Sequence, residues 1–331
     1  MKAVILNDTS QENHHGCNRV MDNLYSKLSE HNIDVSAIGF LRDDLDSPTL
    51  KDSTNSCDFA IINGEGTIHH NNLYAENLLK LVANSTARKK ILLNTTYDSN
   101  PAHYNAYLRN FDHIFVRDQQ SKAELTSCGI ASSVVPDLTF LDKPDSVDSR
   151  SSGVCAIDSV DRDTLIHLFV LRRTIRNLRP LSIFGRHENL LQHLYEIRRS
   201  VALKDIFAPS FVTRTISARR WFSSQTFENH SEFSKEIAQC EFLISGRYHA
   251  VCMAIKNRTP FLAIESNTFK ISALLEDVGL RSRCLGKADF LKAESLPMSP
   301  LSHSEVELMQ KYDIDAQQRI NEMFEIIFEH G

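Results

Sequence analysis

The sequence predicts an α/β protein of two facing Rossmann-like domains with a cleft between them. Three observations carry this. Short apolar runs alternate with segments of helical period, a pattern that builds parallel sheets covered on both faces. The alternation breaks at a polar stretch, KPDSVDSRSSG at residues 143–153, and then restarts. A length of 331 residues also exceeds what one hydrophobic core usually serves.

Residues 3–6 are the expected first strand. Residues 17–30 follow as a helix, because Val20, Met21, Leu24 and Leu28 fall on one face. Strands are expected at 35–40, 58–62, 90–94, 113–116 and 133–135. Between them, 73–85 and 121–128 read as helices, the second ending at Gly129, a natural C-terminal cap. Beyond the linker, strands are expected at 154–157, 180–184, 242–245 and 260–264. Helices are expected at 161–177, 189–200, 231–240 and 249–256, with a long amphipathic helix over 304–329. The domains are therefore 1–145 and 153–303, followed by a terminal helical segment, 304–331.

Composition bounds the function. Hydrophobic content of 42% and charged content of 24% are ordinary for a globular protein, and a net charge of −5 argues against a nucleic-acid partner. The N-terminal apolar run is too short for a signal peptide, and no window is long enough for a membrane span. Cys17, Cys57, Cys128, Cys155, Cys240, Cys252 and Cys284 are scattered, with no C-x-x-C pair. They read as reduced cytoplasmic thiols rather than a disulfide framework or a zinc site. The basic run RTISARR at 214–220 is either a solvated loop or a contact with an anionic acceptor or the inner membrane, at its periphery.

Ligands of open parallel sheets sit beyond the carboxyl ends of the strands, so polar residues there are the candidates. After the first strand come Asn7, Asp8 and Thr9, then Asn13, His14, His15 and Gly16. After the third come Asn63, Gly64, Glu65, Gly66 and Thr67. Asn94, Arg117 and Asp137 follow later strands. In the second half, Ser245, Gly246, Arg247, Tyr248 and His249 open a helix, and Asn267 and Lys270 lie after the next strand.

SGRYHA is an expected anion site: a glycine turn at a helix N-terminus, a guanidinium fork and an imidazole. The alternative is that Arg247 pairs with an aspartate of the facing domain while His249 caps the helix. Lys270 is either a second phosphate contact or an exposed lysine. His14-His15 is a poor metal pair, since adjacent side chains diverge, so no metal and no cofactor are expected and substrate hydrogen bonding is preferred. Glu65, between two glycines, and Asp137, after Pro136, would form a carboxylate pair suited to an oxocarbenium-like transition state. Asp137 could equally cap the turn that follows it.

Taken together, NDTSQENHHGCNRV, NGEGT, VRDQQS at 116–121, PDLTF at 136–140, SGRYHAVCMAI at 245–255 and TPFLAIESNTFK resemble the polysaccharide pyruvyl transferase superfamily. The resemblance implies two Rossmann-like domains in a GT-B-like arrangement with an interdomain cleft. It also implies that Arg247 and His249 bind donor phosphate or carboxylate. Two departures matter: Glu12-Asn13-His14-His15-Gly16 stands where the family usually has Gly-Asn-x-Gly-Asp, and Glu65 replaces a third glycine. They look more like the related retaining β-Kdo transferases, which use CMP-Kdo with an Asp nucleophile and a nearby Glu.

The expectation is thus a transferase of cell-surface polysaccharide or lipopolysaccharide. Its donor would be a CMP-activated, Kdo-like ulosonic acid and its acceptor a glycan. Asp137 would be the nucleophile, Glu65 the acid or base, and His14, His15 and Asn94 the positioning groups. The alternative is pyruvyl ketal transfer from phosphoenolpyruvate.

Overall fold

The computed structural model describes residues 1–66, 68–147, 149–185, 209–265, 267–293 and 295–328. It contains two compact units. One comprises Met1–Glu12, Cys17–Asp142 and Ile314–Gly331; the other comprises Asn13–Gly16 and Lys143–Asp313.

The first unit carries strands β1 (Lys2–Asp8), β2 (Asp34–Phe40), β3 (Phe59–Asn63), β4 (Lys89–Thr95), β5 (His113–Val116) and β6 (Ser133–Val134). They form one sheet in the order β2-β1-β3-β4-β5-β6, every pair parallel. The central strands are apolar along their length because both faces are covered: Ala3–Leu6, Phe59–Ile62 and Ile91–Leu93 are all buried. Helices α1 (His15–Glu30), α2 (Pro48–Ser56), α3 (Leu73–Ala83), α4 (Tyr104–Leu108) and α5 (Gln119–Ser127) connect them. Asp118 fixes the start of α5 by accepting from the Ser121 amide at 2.7 Å.

The second unit repeats the plan. Its strands are β7 (Val154–Ser159), β8 (Arg179–Leu181), β9 (Phe242–Gly246), β10 (Phe261–Ile264) and β11 (Cys284–Leu285), in the order β11-β10-β9-β7-β8 and all parallel. Its described helices are α6 (Arg162–Leu171), α7 (Pro209–Phe222), α8 (His230–Gln239), α9 (Tyr248–Lys256), α10 (Lys270–Val278), α11 (Lys287–Lys292) and the start of α12 (His303–Phe328). Asp161 caps α6 and Asn229 caps α8, each accepting an amide N–H at 2.9 Å. Gly279 ends α10 at φ 83°, the left-handed conformation that glycine adopts without a steric penalty.

The α/β class with two Rossmann-like parallel sheets is therefore what the chain forms. Several details differ from the sequence reading. The helix expected over 161–177 stops at Leu171, where Thr174 and Ile175 fold back to the Leu171 carbonyl. Residues 214–220 lie within α7 and are not a loop. Residues 314–331 belong to the first compact unit and 13–16 to the second, unlike the simple halves expected. The helix expected at 189–200 and the site residue Thr67 lie outside the described residues. Among the described residues, no helix is long and apolar enough to cross a membrane.

Candidate functional site

Within its own unit the second sheet runs 2-1-3-4-5, the flavodoxin-like order, and the first runs the same way with a sixth strand added at its edge. Its topological switch point lies between the first and third strands, where loops diverge to opposite faces and leave a crevice. In the first unit that point is between β1 and β3; in the second it is between β7 and β9.

At the first switch point, Glu65 is only 5% exposed. Its Oε2 accepts the Thr9 hydroxyl at 3.0 Å and lies 3.4 Å from Asn63 Nδ2. Burial, the Glu65 charge and a hydrogen bond to Glu65 all push the Cys17 thiol pKa well up, so Cys17 is a neutral donor and not a thiolate. Asn7 and Asn94, the penultimate residues of their strands, have φ 62° and 55°, a region that asparagine tolerates better than most residues. Asn7 Nδ2 donates to the Asn63 carbonyl at 2.6 Å, and the Asn94 side chain accepts from the Leu138 amide at 3.2 Å. The two glycines flanking Glu65 have separate causes. A Cβ on Gly64 would sit 2.4 Å from Thr95 Cβ, whereas Gly66 has φ 62° with open space around it.

Asp137 and Arg117 form a buried pair just beyond β6 and β5. Arg117 Nη1 donates to Asp137 Oδ2 at 2.8 Å, and Nη2 donates to the Thr96 hydroxyl at 2.8 Å. Asp137 Oδ1 caps the short 3-10 turn at Leu138–Phe140 through the Thr139 amide at 3.0 Å. Asp137 is fully buried, with 0% exposure, and Arg117 is 2% exposed. The capping alternative describes this geometry; an attacking carboxylate with a lone pair facing solvent does not.

At the second switch point, Arg247 is the N-cap residue of α9. Its guanidinium grips Asp158, at the end of β7, with both forks: Nε to Oδ1 and Nη2 to Oδ2, each at 2.7 Å. Arg219, on α7, adds a third contact to Asp158 Oδ2 at 2.7 Å. Burial pushes the Asp158 pKa up, but the two guanidiniums outweigh it and hold the carboxyl below its usual range. Arg247 thus has an aspartate partner, from its own unit and not from a facing one, and two cations share that single anion. Gly246 is required here because a Cβ would fall 2.6 Å from Ser159 Cβ. Ser245 Oγ accepts the Arg247 amide at 3.0 Å.

His14 sits beside this cluster. Its ring lies 5.2 Å from Phe184 and 5.6 Å from His249, both edge-on. Burial, then the nearby His249, Arg247, His15 and Lys270, depress its pKa well below 6.5, so it is neutral at pH 7. Gly16 lets the loop press on His249: a Cβ there would meet His249 Cβ at 2.3 Å. Lys270 opens α10, and Asn267 is exposed.

His15 is a correction. It is 1% exposed and stacks on Phe233 at 4.9 Å with Phe227 edge-on. Neither ring nitrogen has a hydrogen-bond partner among the described residues. It is a core aromatic, and burial lowers its pKa to about 4.

The structure gathers Asn7, Gly64, Glu65, Gly66 and Asn94 at one switch point. It gathers His14, Ser245, Gly246, Arg247 and His249 at the other, and it buries Arg117, Asp137 and His15. Sequence reasoning missed Asp158, Arg219 and Phe184. Asp158 was within reach, since the strand-end rule applied to VCAIDS points straight at it.

Comparison with known proteins adds one strong match. Residues 14–268 match the family profile described as polysaccharide pyruvyl transferase, which is more than half of the chain. No curated protein matches. Among solved structures, a functionally uncharacterized protein from Klebsiella pneumoniae shares 11% identity at a TM-score of 0.50, over 86% of this chain and 92% of that one. The S. aureus MnaA–UDP co-structure gives 11% identity and a TM-score of 0.49, over 96% and 89% of the two chains. A mutant O-GlcNAc transferase from Thermobaculum terrenum gives 11% and 0.44, over 99% and 64%. At these identities the likeness concerns the fold alone.

Proposed function

Since the chain belongs to the polysaccharide pyruvyl transferase family and is a polysaccharide-modifying transferase, we propose that it moves a pyruvyl group from phosphoenolpyruvate onto a glycan sugar. In this reaction C3 of the enolpyruvyl group takes a proton and C2 becomes electrophilic. One sugar hydroxyl oxygen bonds to C2, the C2–O bond to phosphate breaks, and a second hydroxyl closes the ketal. Of the two hydroxyl protons lost, one balances the new methyl group and the other leaves with phosphate.

The switch point around Arg247 supports this reading for the donor. It offers a fixed guanidinium at a helix N-terminus, and the positive end of the helix dipole adds to it. His249 is the second donor-binding group, and Ser245 and Gly246 shape the turn. Asn267 and Lys270 are the proposed outer contacts of the anion. His14, held neutral by its surroundings, is the proposed base for a sugar hydroxyl. Glu65, with Asn7, Gly64, Gly66 and Asn94 around it, is the proposed carboxylate for the acceptor.

The observation that ranks pyruvyl transfer first is the state of Asp137. Attack on an anomeric carbon needs a carboxylate lone pair in contact with substrate. Asp137 instead has one oxygen on Arg117 and the other on the Thr139 amide. A second reading, retaining transfer of a Kdo-like sugar from a CMP donor, is favoured by Glu65, a buried carboxylate suited to acid–base work on an acceptor hydroxyl. In that reading Asp137 would have to leave both partners before attacking. Seven free thiols fit a reducing cytoplasm for either reaction.

Incubation with each donor and a panel of bacterial surface glycans separates the readings. Phosphate release from phosphoenolpyruvate with a pyruvylated product is the expected result. CMP release from CMP-Kdo, with a sugar-sized mass increment on the peptide bearing Asp137, would overturn it.

A further inference from the structure

Two stretches of the second unit are rich in arginine and free of acidic residues. Between residues 166 and 185 lie Arg172, Arg173, Arg176 and Arg179; between 209 and 227 lie Arg214, Arg219 and Arg220. Neither stretch contains a lysine or a carboxylate, in a chain whose net charge is −5. The fold brings them together. Leu165, Leu168 and Leu171 of α6 share one apolar cluster with Ala218 and Phe222 of α7. Phe169 meets Trp221 edge-on at 5.9 Å, and the Arg172 guanidinium lies over the Phe169 ring at 4.1 Å.

Two of the seven arginines are committed: Arg179 pairs with Glu236 and Arg219 with Asp158. Arg172, Arg173, Arg176, Arg214 and Arg220 are exposed, with no ion-pair partner among the described residues. Apolar surface lies among them: Val170 is 39% exposed and Ile216 38%, and Phe169 and Trp221 are half-buried.

We propose that this face, formed by the end of α6, the turn that follows it and the outer side of α7, docks on an anionic phospholipid membrane surface. Guanidinium is the cation suited to phosphodiester oxygens, because its fork engages two of them at once. The five charges are spread along two elements and are not converged on a point, which suits a surface of many headgroups rather than one small anion. Aliphatic and aromatic side chains on the same face supply the shallow apolar insertion that strengthens interfacial binding. Each arginine near such a surface contributes on the order of fivefold in partition, and the remainder of the chain, being acidic, is repelled and so orients the protein. The inference does not depend on which donor the enzyme uses.

Trp221 is the only tryptophan of the chain, so intrinsic fluorescence reads this face directly. The full-length protein is titrated with phosphatidylcholine vesicles and with vesicles containing phosphatidylglycerol, at about 0.1 M and about 0.5 M salt. Co-sedimentation and a blue shift of Trp221 are expected with the anionic vesicles alone, both weakened by salt. Replacing Arg172, Arg173, Arg176, Arg214 and Arg220 with Glu should lower partition by on the order of tenfold or more, while Lys at the same positions retains most of it. Gln replacements serve where the reversed chain does not fold, judged by its melting curve. Failure of the wild type to bind, or binding that ignores these substitutions or leaves Trp221 unchanged, overturns the proposal. An equal blue shift with soluble dextran sulfate would make the partner a dissolved polyanion and overturn the lipid assignment.

Discussion

Asp158 shows how a single side chain can set the chemistry of a strand end. Its two oxygens hold Arg247 in a bidentate grip and take a third contact from Arg219. Arg247→Lys keeps the charge but cannot span both oxygens, so the donor KM is expected to rise on the order of tenfold with a smaller change in kcat. Asp158→Asn removes the negative charge between two guanidiniums and frees the fork to swing, so it should also raise KM, and Arg247→Lys on top of it should add little. Fully additive losses in that double-mutant cycle would show that Asp158 does not act through Arg247. Asp137 makes the opposite case. With Arg117 it forms a buried pair, and breaking one partner of such a pair typically costs about 3–5 kcal/mol. Asp137→Ala is therefore expected to lower the melting temperature sharply, and Asp137→Asn to lower it less because the Thr139 cap survives. A normal melting curve for Asp137→Ala combined with lost catalysis would instead restore it as a reacting group. Asp137 stood out in the sequence as a strand-end residue, whereas Asp158, which the same rule reaches in VCAIDS, was passed over. The sequence could show neither carboxylate's arginine partner, because that partner is 20 positions away in one case and 89 in the other.

Elements were legible where burial made them uniform. The continuous apolar runs of β1, β3 and β4 announced themselves because both faces of a parallel sheet are covered. By contrast, α2 has only Leu50 and Thr54 buried, so its sequence carries almost no helical stripe. The α7 segment was hidden by its arginines, which a composition argument assigns to a loop. The turn into α1 was legible as a polar loop before a helix, yet its two histidines part company: His14 joins the anion cluster and His15 enters an aromatic core. That division has a pH consequence. The His15 pKa falls to about 4 in the fold against 6.5 when exposed. The neutral form is favoured by folding, so its contribution is complete above about pH 6.5 and drains away as pH falls through about 4. While the unfolded chain is protonated and the folded chain is not, stability drops by about 1.4 kcal/mol per pH unit per histidine. His14 is shifted in the same direction. Melting temperature measured from pH 7 to pH 4.5 should therefore decline, and His15→Phe, which keeps the stack on Phe233, should flatten part of the decline. An unchanged slope in that variant would place the acid sensitivity elsewhere.

For the molecule as a whole, the sequence delivered two α/β halves and set the tail apart from both as a terminal helix. A hydrophobic stripe on α12 tells that the helix is covered on one side without telling by what. The contacts give the answer: Phe328 meets Phe59 of β3 edge-on at 5.1 Å, and His31 packs on Phe328 at 5.1 Å. The last 18 residues therefore complete the compact unit that the first residues begin. Ala316, Ile320, Phe324 and Ile327 have 0% exposure, Met323 2% and Phe328 6%. Each of the larger side chains is worth roughly 1.5–3 kcal/mol when fully buried, so together they rival the whole net stability of a domain, about 5–15 kcal/mol. A chain ending at Asp313 should thus lose the first unit and spare the second. Hydrogen exchange resolved by peptide is the suitable readout: amides of β3 and β4 should lose protection in the truncated chain, while those of β7 and β9 keep it. Phe324→Ala in the full chain is the milder version, expected to cost about 3–5 kcal/mol, with loosening confined to the same strands. Protection of β3 that survives the truncation would mean that the tail merely covers a unit already able to stand alone.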